Sequence, residues 1–201
     1  SQRFLMPAPL QKGTFLAASQ ALQEDYFART VILIIHHSVR DGSMGLVLNR
    51  PMRHNVQIDS GDELMRFAES SIAGEDANHL FFEGGPVDRS HLFYLHRLSH
   101  LISDGNPVLE DLHWGGDLEA MQAEADFIAT DEPLLRFYLG YAGWEQGQLE
   151  REIEQGAWIL VPGNVDQILT ASTQSMWHDV VYSLGGKYRA IAELPVDHSV
   201  N

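Results

Sequence analysis

Cysteine is absent from this 201-residue sequence, as are other features that would point to a class of function. Without cysteine the chain has no disulfide, no thiol nucleophile and no thiolate metal ligand, and its redox compartment stays undetermined. The longest aliphatic run, 31–35, covers five residues, whereas about 20 apolar residues are needed to span a bilayer. Residues 1–12 lack an apolar stretch followed by a small-residue cleavage site. We therefore expect no membrane association and a cytoplasmic location.

Cations are also scarce in the sequence. Thirteen Lys and Arg oppose 28 Asp and Glu, and the net charge is −15. Protonation of all ten histidines would still leave the net charge negative. Because a chain of this charge repels phosphates within the Debye length, we expect no direct binding to nucleic acid.

Two common catalytic and nucleotide-binding motifs are missing as well. No serine lies in a Gly-x-Ser-x-Gly elbow, and the glycine-rich stretches at 84–85, 115–116 and 140–147 lack the Gly-Lys-Ser/Thr ending of a phosphate-binding loop. Those glycines are better interpreted as turn residues. The sequence contains no complete catalytic constellation, so we expect no cofactor and favour a protein that is not an enzyme.

The histidines form no convincing metal site. His36 and His37 are consecutive on a predicted strand, where neighbouring side chains point to opposite faces. His91 and His96 have an odd spacing on another predicted strand, and His96 and His100 would converge only on a helix. Structural histidines are the favoured interpretation.

Glu150 and Glu154 are four residues apart on a predicted helix. This spacing places them on one face, where they could act as paired carboxylates or hold a hard cation. A solvated helix face is the more common role of such a pair.

The pattern of the chain predicts one α+β domain over 1–201, with a less well-defined head at 1–12 and tail at 186–201. Apolar runs predict strands, and the longest of them, at 30–35, is typical of a strand buried on both faces. We predict strands at 14–19, 30–35, 44–48, 79–82, 91–96, 134–139 and 157–161. The close pairs indicate hairpins and hence a mainly antiparallel sheet.

Capping signals and apolar periodicity place helices between these strands. The Ser60–Glu63 spacing is that of a capping box, Asp117 precedes a periodic stretch to residue 125, and Asn164 precedes a single helical turn. Two further helices are predicted from residue 148 to the stop at Gly156 and over 176–184. Residues 140–147 are interpreted as a shaped loop.

Three segments together resemble the YqgE/AlgH family of bacterial proteins. They are Gly-Leu-Val-Leu-Asn-Arg-Pro at 45–51, Phe-Glu-Gly-Gly-Pro-Val at 82–87, and Gly-Tyr-Ala-Gly-Trp with the following Gly-Gln-Leu-Glu at 140–150. Glu83 departs from the family pattern. The resemblance implies a strongly curved, bifurcated sheet that approaches a pseudo-barrel flanked by helices. It implies no defined activity, although one member is named for transcriptional control of alginate production.

Residues at predicted strand ends are the candidate binding residues. Loops on a rigid sheet often carry such residues, and here Tyr141 and Trp144 would supply apolar area, Arg50 a cation, and Asn49 and Gln148 hydrogen bonds. The full candidate set for a ligand or partner is Asn49, Arg50, Gly84, Gly85, Pro86, Tyr141, Trp144, Gln148 and Glu150. The alternative is that the polar members satisfy tight turns and the rings pack in the core.

Two functional hypotheses follow from these observations. The first is a non-catalytic interaction or regulatory protein with a protein partner, acting without direct DNA contact and of open oligomeric state. The second is a small-ligand binder or enzyme that uses the surface around Arg50, Tyr141 and Trp144. Trp158 and Trp177 lie in apolar patterns and are predicted to be core residues, whereas Trp144 would lie nearer to the surface if it belongs to the binding surface.

Overall fold

The computed structural model describes residues 8–52, 81–125 and 134–195. The described residues form nine strands, five α-helices and a 3-10 turn at Gln20–Leu22. The strands are β1 Phe15–Ala18, β2 Val31–Ser38, β3 Gly42–Val47, β4 Phe81–Glu83, β5 Val87–His96, β6 Asn106–Leu109, β7 Leu112–Trp114, β8 Leu135–Trp144 and β9 Trp158–Val161. The helices are α1 Leu118–Ala125, α2 Gln148–Glu154, α3 Val165–Leu169, α4 Met176–Tyr182 and α5 Lys187–Ala192. The helix predicted to begin near Ser60 lies outside the described residues.

The strands form one curved, mostly antiparallel sheet in an α+β arrangement, and this confirms the predicted fold class. Along the sheet the order is β6-β7-β5-β8-β3-β2-β1-β9, and β4 joins β8 outside this path. Every pairing is antiparallel except that of β4 with β8. The predicted hairpin of β2 and β3 is present, with Leu33 opposite Leu46.

The sheet divides at β8. One edge of β8 pairs with β5, and the other edge pairs first with β4 through 137–139 and then with β3 through 142–144. Gly140 lies between these two pairings with φ of 70°. A Cβ atom there would lie 2.4 Å from the Gly85 carbonyl oxygen, so only glycine allows the two backbones to approach this closely.

The two ends of the strand path approach each other, which gives the sheet its pseudo-barrel shape. Gly163, just after β9, lies beside Leu109 of β6, and Gly13, just before β1, lies beside Val108 and Leu109. The enclosed core contains Phe15, Leu33, Leu46, Leu95, Val108, Tyr138 and Val161, together with apolar residues of α3 and α4. The curvature therefore buries one face of nearly every strand in a single interior.

The outer faces of the sheet carry two further apolar clusters. Leu16, Ile32 and Val47 pack beneath α2 through Leu149. On β5 and β8, residues that include Leu92 pack beneath α1. β1 and β2 are thus buried on both faces, as the uninterrupted apolar run of β2 indicates.

Local capping signals are confirmed where the structure describes them. The Asp117 carboxylate accepts a hydrogen bond from the Ala120 N–H at 2.8 Å, and Asn164 Oδ1 accepts one from the Gln167 N–H at 3.0 Å. Gly156 follows α2 with φ of 79°, as expected of a residue that ends a helix.

The prediction that the strands near 79–82 and 91–96 form a hairpin-like pair is wrong. β4 and β5 are not paired with each other but lie on opposite edges of β8. The chain does reverse direction between β4 and β5, but Gly84 and Gly85 carry it across the β8 backbone, where the Gly84 N–H donates to the Leu139 carbonyl at 2.7 Å.

The predicted loop at 140–147 is shorter than expected, because β8 continues to Trp144. Ala142, Gly143 and Trp144 pair with β3, so a distant strand keeps this glycine-rich stretch extended. Sequence reasoning also missed β6 and β7 and helix α5 within the tail at 186–201.

Trp158 and Trp177 are buried, with 4% and 6% of their surface exposed, and this confirms the prediction for both. Trp177 Nε1 donates to the Ala18 carbonyl at 2.9 Å. Trp144 is also only 6% exposed and packs edge-on against Trp158, with 6.0 Å between the ring centroids. Trp144 therefore follows the alternative in which the ring packs in the core, because pairing with β3 draws it beneath α2.

His96 is fully buried in a defined neutral form. Its Nδ1 accepts the Leu98 N–H at 3.2 Å, so the ring proton is on Nε2, which donates to the Gly115 carbonyl at 2.8 Å. Burial lowers the pKa of His96 below its ordinary value, and the hydrogen bond to Gly115 opposes this only partly.

No helix among the described residues is long and apolar enough to cross a bilayer.

We expect Trp144→Ala, Trp158→Ala and Trp177→Ala each to lower the free energy of unfolding by about 3–5 kcal/mol, because each leaves a cavity in a close-packed region. Val39→Ala, at a position 75% exposed, is the control and should change it by less than about 0.5 kcal/mol. Chemical denaturation measures all four. The Trp144/Trp158 double variant should be non-additive because the rings touch, and full additivity would contradict this packing.

We expect His96 to make the protein less stable as the pH falls. The unfolded-state pKa is about 6.5 and the folded-state pKa is lower, so below about pH 6.5 only the unfolded chain binds this proton. The free energy of unfolding should then fall by up to about 1.4 kcal/mol per pH unit until the folded-state pKa is reached. His96→Gln should flatten this dependence, whereas Val39→Ala, at an exposed position without a titratable group, should not. Parallel slopes for wild type and His96→Gln would refute this role.

Candidate functional site

An open cleft of ≈ 710 Å³ lies where the segment after β3 runs beside β4. Arg50 O accepts the Glu83 N–H at 2.8 Å, and the Met52 N–H donates to Phe81 O at 3.0 Å, so this segment forms a wall of the cleft. We call it the Arg50 cleft. Its lining residues are Asn49, Arg50, Pro51, Met52, Glu83, Arg89, Leu139, Thr173 and Gln174.

Arg50 is held in position by Tyr26. The guanidinium carbon lies 4.5 Å from the centroid of the Tyr26 ring, and Nη2 donates to the Tyr26 carbonyl oxygen. A guanidinium has five N–H donors in a rigid planar arrangement suited to carboxylate or phosphate. Stacking and one hydrogen bond therefore fix the orientation of a cation at the cleft.

Glu83 links Tyr26 to the opposite side of the cleft. The Tyr26 hydroxyl donates to Glu83 Oε1 at 2.8 Å, and Arg89 Nη2 lies 3.5 Å from the same oxygen. Burial, and then the hydrogen bond to Glu83, raise the pKa of Tyr26, so its hydroxyl stays a neutral donor. Arg89 is well exposed, with 62% of its side chain accessible.

The cleft combines charge with an apolar surface. Arg50 and Arg89 place two cations against the single carboxylate of Glu83, although the chain as a whole carries −15. Pro51, Met52 and Leu139 supply the apolar part of the lining. Such a site can hold an anionic group by charge-assisted hydrogen bonds while apolar atoms of the ligand rest on the apolar lining.

Asn49 lines the cleft, but its amide is used by the backbone. Oδ1 accepts the Val31 N–H at 3.0 Å and Nδ2 donates to the Arg29 carbonyl at 2.9 Å. Asn49 therefore holds the backbone just before Arg50 in place. This agrees with the alternative that the polar candidates satisfy backbone groups in tight turns.

Gly84, Gly85 and Pro86 lie next to Glu83 but do not line the cleft. A Cβ atom at Gly84 would lie 2.3 Å from the Gly140 carbonyl oxygen, and one at Gly85 would lie 2.1 Å from the Tyr141 carbonyl carbon. The two glycines allow a close crossing of backbones, and Pro86 is exposed beside it.

The remaining candidate residues are not brought to the cleft. Tyr141 packs edge-on against Phe93 at 5.7 Å, beside the enclosed core. Trp144 is buried beneath α2, and Gln148 Oε1 accepts the Glu145 N–H at 3.0 Å. Glu150 lies 3.8 Å from His37 Nε2. The structure thus places Asn49 and Arg50 in one concavity and the other candidates elsewhere.

Six lining or supporting residues lie outside the segments that sequence reasoning singled out: Tyr26, Met52, Arg89, Leu139, Thr173 and Gln174. Tyr26 and Glu83 are 57 residues apart, and no local pattern predicts their hydrogen bond. The one sequence feature that could have pointed to these residues was Glu83, a charged residue that departs from the family pattern just before the Gly-Gly-Pro segment.

The described histidines do not converge. His37 Nδ1 lies 2.7 Å from Ser43 Oγ, and the ring of His96 stacks near that of His113 at 5.9 Å. Within the described residues, no group of three or more His, Asp or Glu side chains is placed to hold a metal ion.

The chain folds as a curved, mostly antiparallel α+β protein. Its cleft, lined by two arginines, lies where the sheet divides. The family model described as AlgH-like, DUF179, matches residues 15–189. The chain therefore belongs to the AlgH-like family.

Relatives and solved structures agree with this assignment. The chain is 34% identical over 186 residues to a UPF0301 protein of Chlorobium chlorochromatii, and the alignment covers 92% of this chain and 93% of that protein. It is 36% identical to a UPF0301 protein of Chlorobaculum parvum with the same coverage. The solution structure of AlgH from Pseudomonas aeruginosa matches with a TM-score of 0.65 and 25% identity, covering 95% of this chain and 98% of AlgH. A Corynebacterium diphtheriae crystal structure, 21% identical, shares the fold with a TM-score of 0.66 and coverage of 94% and 95%.

Proposed function

We propose that this chain is a non-catalytic binding protein and that the Arg50 cleft holds an anionic group of its ligand. The observation that carries the proposal is the fixed guanidinium of Arg50, stacked on Tyr26 and directed by its hydrogen bond to the Tyr26 carbonyl. A cation already held in place loses little side-chain entropy when it binds. The ligand class is a carboxylate or phosphate with an adjoining apolar part.

The lining residues support binding rather than catalysis. Among the residues that the structure describes, the lining supplies two guanidinium groups, one carboxylate and uncharged polar side chains, and no histidine, serine or lysine. Glu83 is already engaged by the Tyr26 hydroxyl and Arg89. The carboxylate or phosphate has two possible sources, an acidic side chain of a partner protein or a free small anion. The first agrees with the interaction protein expected from the sequence, and the second with the alternative of a small-ligand binder.

We expect at least one of three probes, inorganic phosphate, succinate and a blocked peptide with one glutamate, to cause saturable shifts of the amide signals of Arg50, Met52, Glu83 and Arg89. The measurement is a ¹H–¹⁵N titration at constant ionic strength, with a glutamine version of the peptide as control. Arg50→Ala should weaken binding about tenfold or more, since a charge-assisted hydrogen bond contributes about 1.5–3 kcal/mol. Arg40→Ala, which removes an exposed cation from the β2–β3 turn, should not weaken it.

The three probes separate the possible sources of the anion. Saturation by the glutamate peptide, but not by its glutamine version, supports a protein partner. Saturation by phosphate or succinate alone supports a free small ligand. No saturable shift with any probe, or equal loss of binding in Arg50→Ala and Arg40→Ala, would refute the proposal.

If the regulatory role suggested by the family name applies to this chain, we propose that it acts through a protein and not through DNA. The charge of −15 supports this, because it opposes approach to phosphates. We expect no sequence-specific mobility shift of duplex DNA at about physiological ionic strength. A specific shift that weakens as salt rises from about 50 to 200 mM would contradict this expectation. The cytoplasmic location stays a prediction.

A further inference from the structure

Strand β9 has an open edge beside an apolar groove. One edge of β9 pairs with β1, and among the residues that the structure describes no strand pairs with the other. The groove, which we call the β9 groove, has a volume of ≈ 580 Å³. Its lining residues are Ser19, Gln20, Ala21, Ile153, Gly156, Trp158, Ile159, Leu160, Leu184, Lys187, Tyr188 and Ile191.

The hydrogen-bond pattern of the sheet shows which β9 backbone groups face the groove. The Ser19 N–H donates to Ala157 O at 2.9 Å, whereas the Ala18 N–H donates to Thr30 O at 3.0 Å on the other side. Bonding direction alternates along an antiparallel pair, and Ala17 lies opposite Ile159. Ile159 therefore bonds toward β1, and Trp158 and Leu160 direct their N–H and C=O groups into the groove.

Apolar side chains continue past the open edge on both faces of the sheet. Ile159 shares one face with Leu184, Tyr188 and Ile191, which pack against the enclosed core. Leu160 shares the other face with Ile153 of α2. An added strand would find apolar contacts on both faces, and β9 carries no charged residue or proline that would block pairing.

The charge of the molecule indicates which kind of partner the β9 groove can bind. Among the described lining residues Lys187 is the one charged side chain, and the helix that carries Ile153 has three glutamates, at 150, 152 and 154, against one arginine, Arg151. Two copies of a chain with net charge −15 would repel each other, whereas a cationic segment would be attracted.

We propose that an extended segment of a partner protein, apolar at alternate positions and net basic, adds to β9 as an extra strand. Backbone hydrogen bonds to Trp158 and Leu160 would provide affinity, and the two apolar faces would select alternate side chains. This surface differs from the Arg50 cleft, and the inference does not depend on the function proposed for that cleft.

The test uses the full chain and a displayed library of random 12-residue peptides. Leu160→Pro removes one outward N–H without breaking a bond to β1, and proline is compatible with an edge strand. Leu160→Ala is the control, because it shortens the same side chain but keeps the N–H. Peptides selected on wild type should alternate apolar residues and carry net positive charge. Leu160→Pro should weaken their binding about tenfold relative to Leu160→Ala.

Amide hydrogen exchange separates strand addition from other modes of binding. In the free protein the amides of Trp158 and Leu160 should exchange quickly, and those of Ile159 and Val161 slowly. Bound peptide should protect Trp158 and Leu160. The proposal is overturned if the library yields no wild-type binder, if selected peptides leave these two amides unprotected, or if Leu160→Pro and Leu160→Ala bind equally. If the Trp158 and Leu160 amides are protected without peptide, and this protection rises with protein concentration, the proposal is overturned in favour of self-association through β9.

Discussion

The close crossing of two backbones at Gly140 and Gly85 is the constraint on which the rest of the structure depends. At this point β8 changes partner on one edge from β4 to β3 while it stays paired with β5 on the other. Since a Cβ atom on either glycine would lie within 2.5 Å of the opposite backbone, any side chain would force the strands apart. A single long strand can therefore belong to two branches of the sheet.

The positions of the Arg50 cleft and the β9 groove both follow from this branching of the sheet. Residues 50–52 run alongside β4, and the bond from the Glu83 N–H to Arg50 O places Arg50 and Glu83 side by side. Further along, the β3 branch curves through β2 and β1 to β9, whose outer edge is left without a strand among the described residues. The cleft thus lies at the division of the sheet, and the groove lies at the end of one branch.

The two surfaces use different physical means of recognition. The Arg50 cleft presents one fixed cation, Arg50, and a second, exposed one, Arg89, so it suits a localised negative charge. The β9 groove presents backbone donors and acceptors between apolar faces, so it suits an extended chain. A binding protein can use both at once, because they share no lining residue.

Features that depend on neighbouring residues were largely predictable from the sequence. The caps at Asp117 and Asn164, the apolar run of β2 and the burial of Trp158 and Trp177 arise from local pattern and were confirmed. The family motifs also indicated the curved, bifurcated sheet. In the candidate site, the motif position of Arg50 and the unusual charge of Glu83 were visible in advance, but their shared cleft was not.

Amino-acid sequence alone determined the helix caps at Asp117 and Asn164, the apolar run of β2 and the acidic composition of the chain. Tertiary structure decided the parallel pairing of β4, the burial of Trp144 and the contact of Tyr26 with Glu83. Each of these joins segments far apart in the chain, so no periodicity within one segment specifies it. Short strands such as β6 and β7 likewise depend on partners across the sheet, because their few residues carry too weak a pattern of their own.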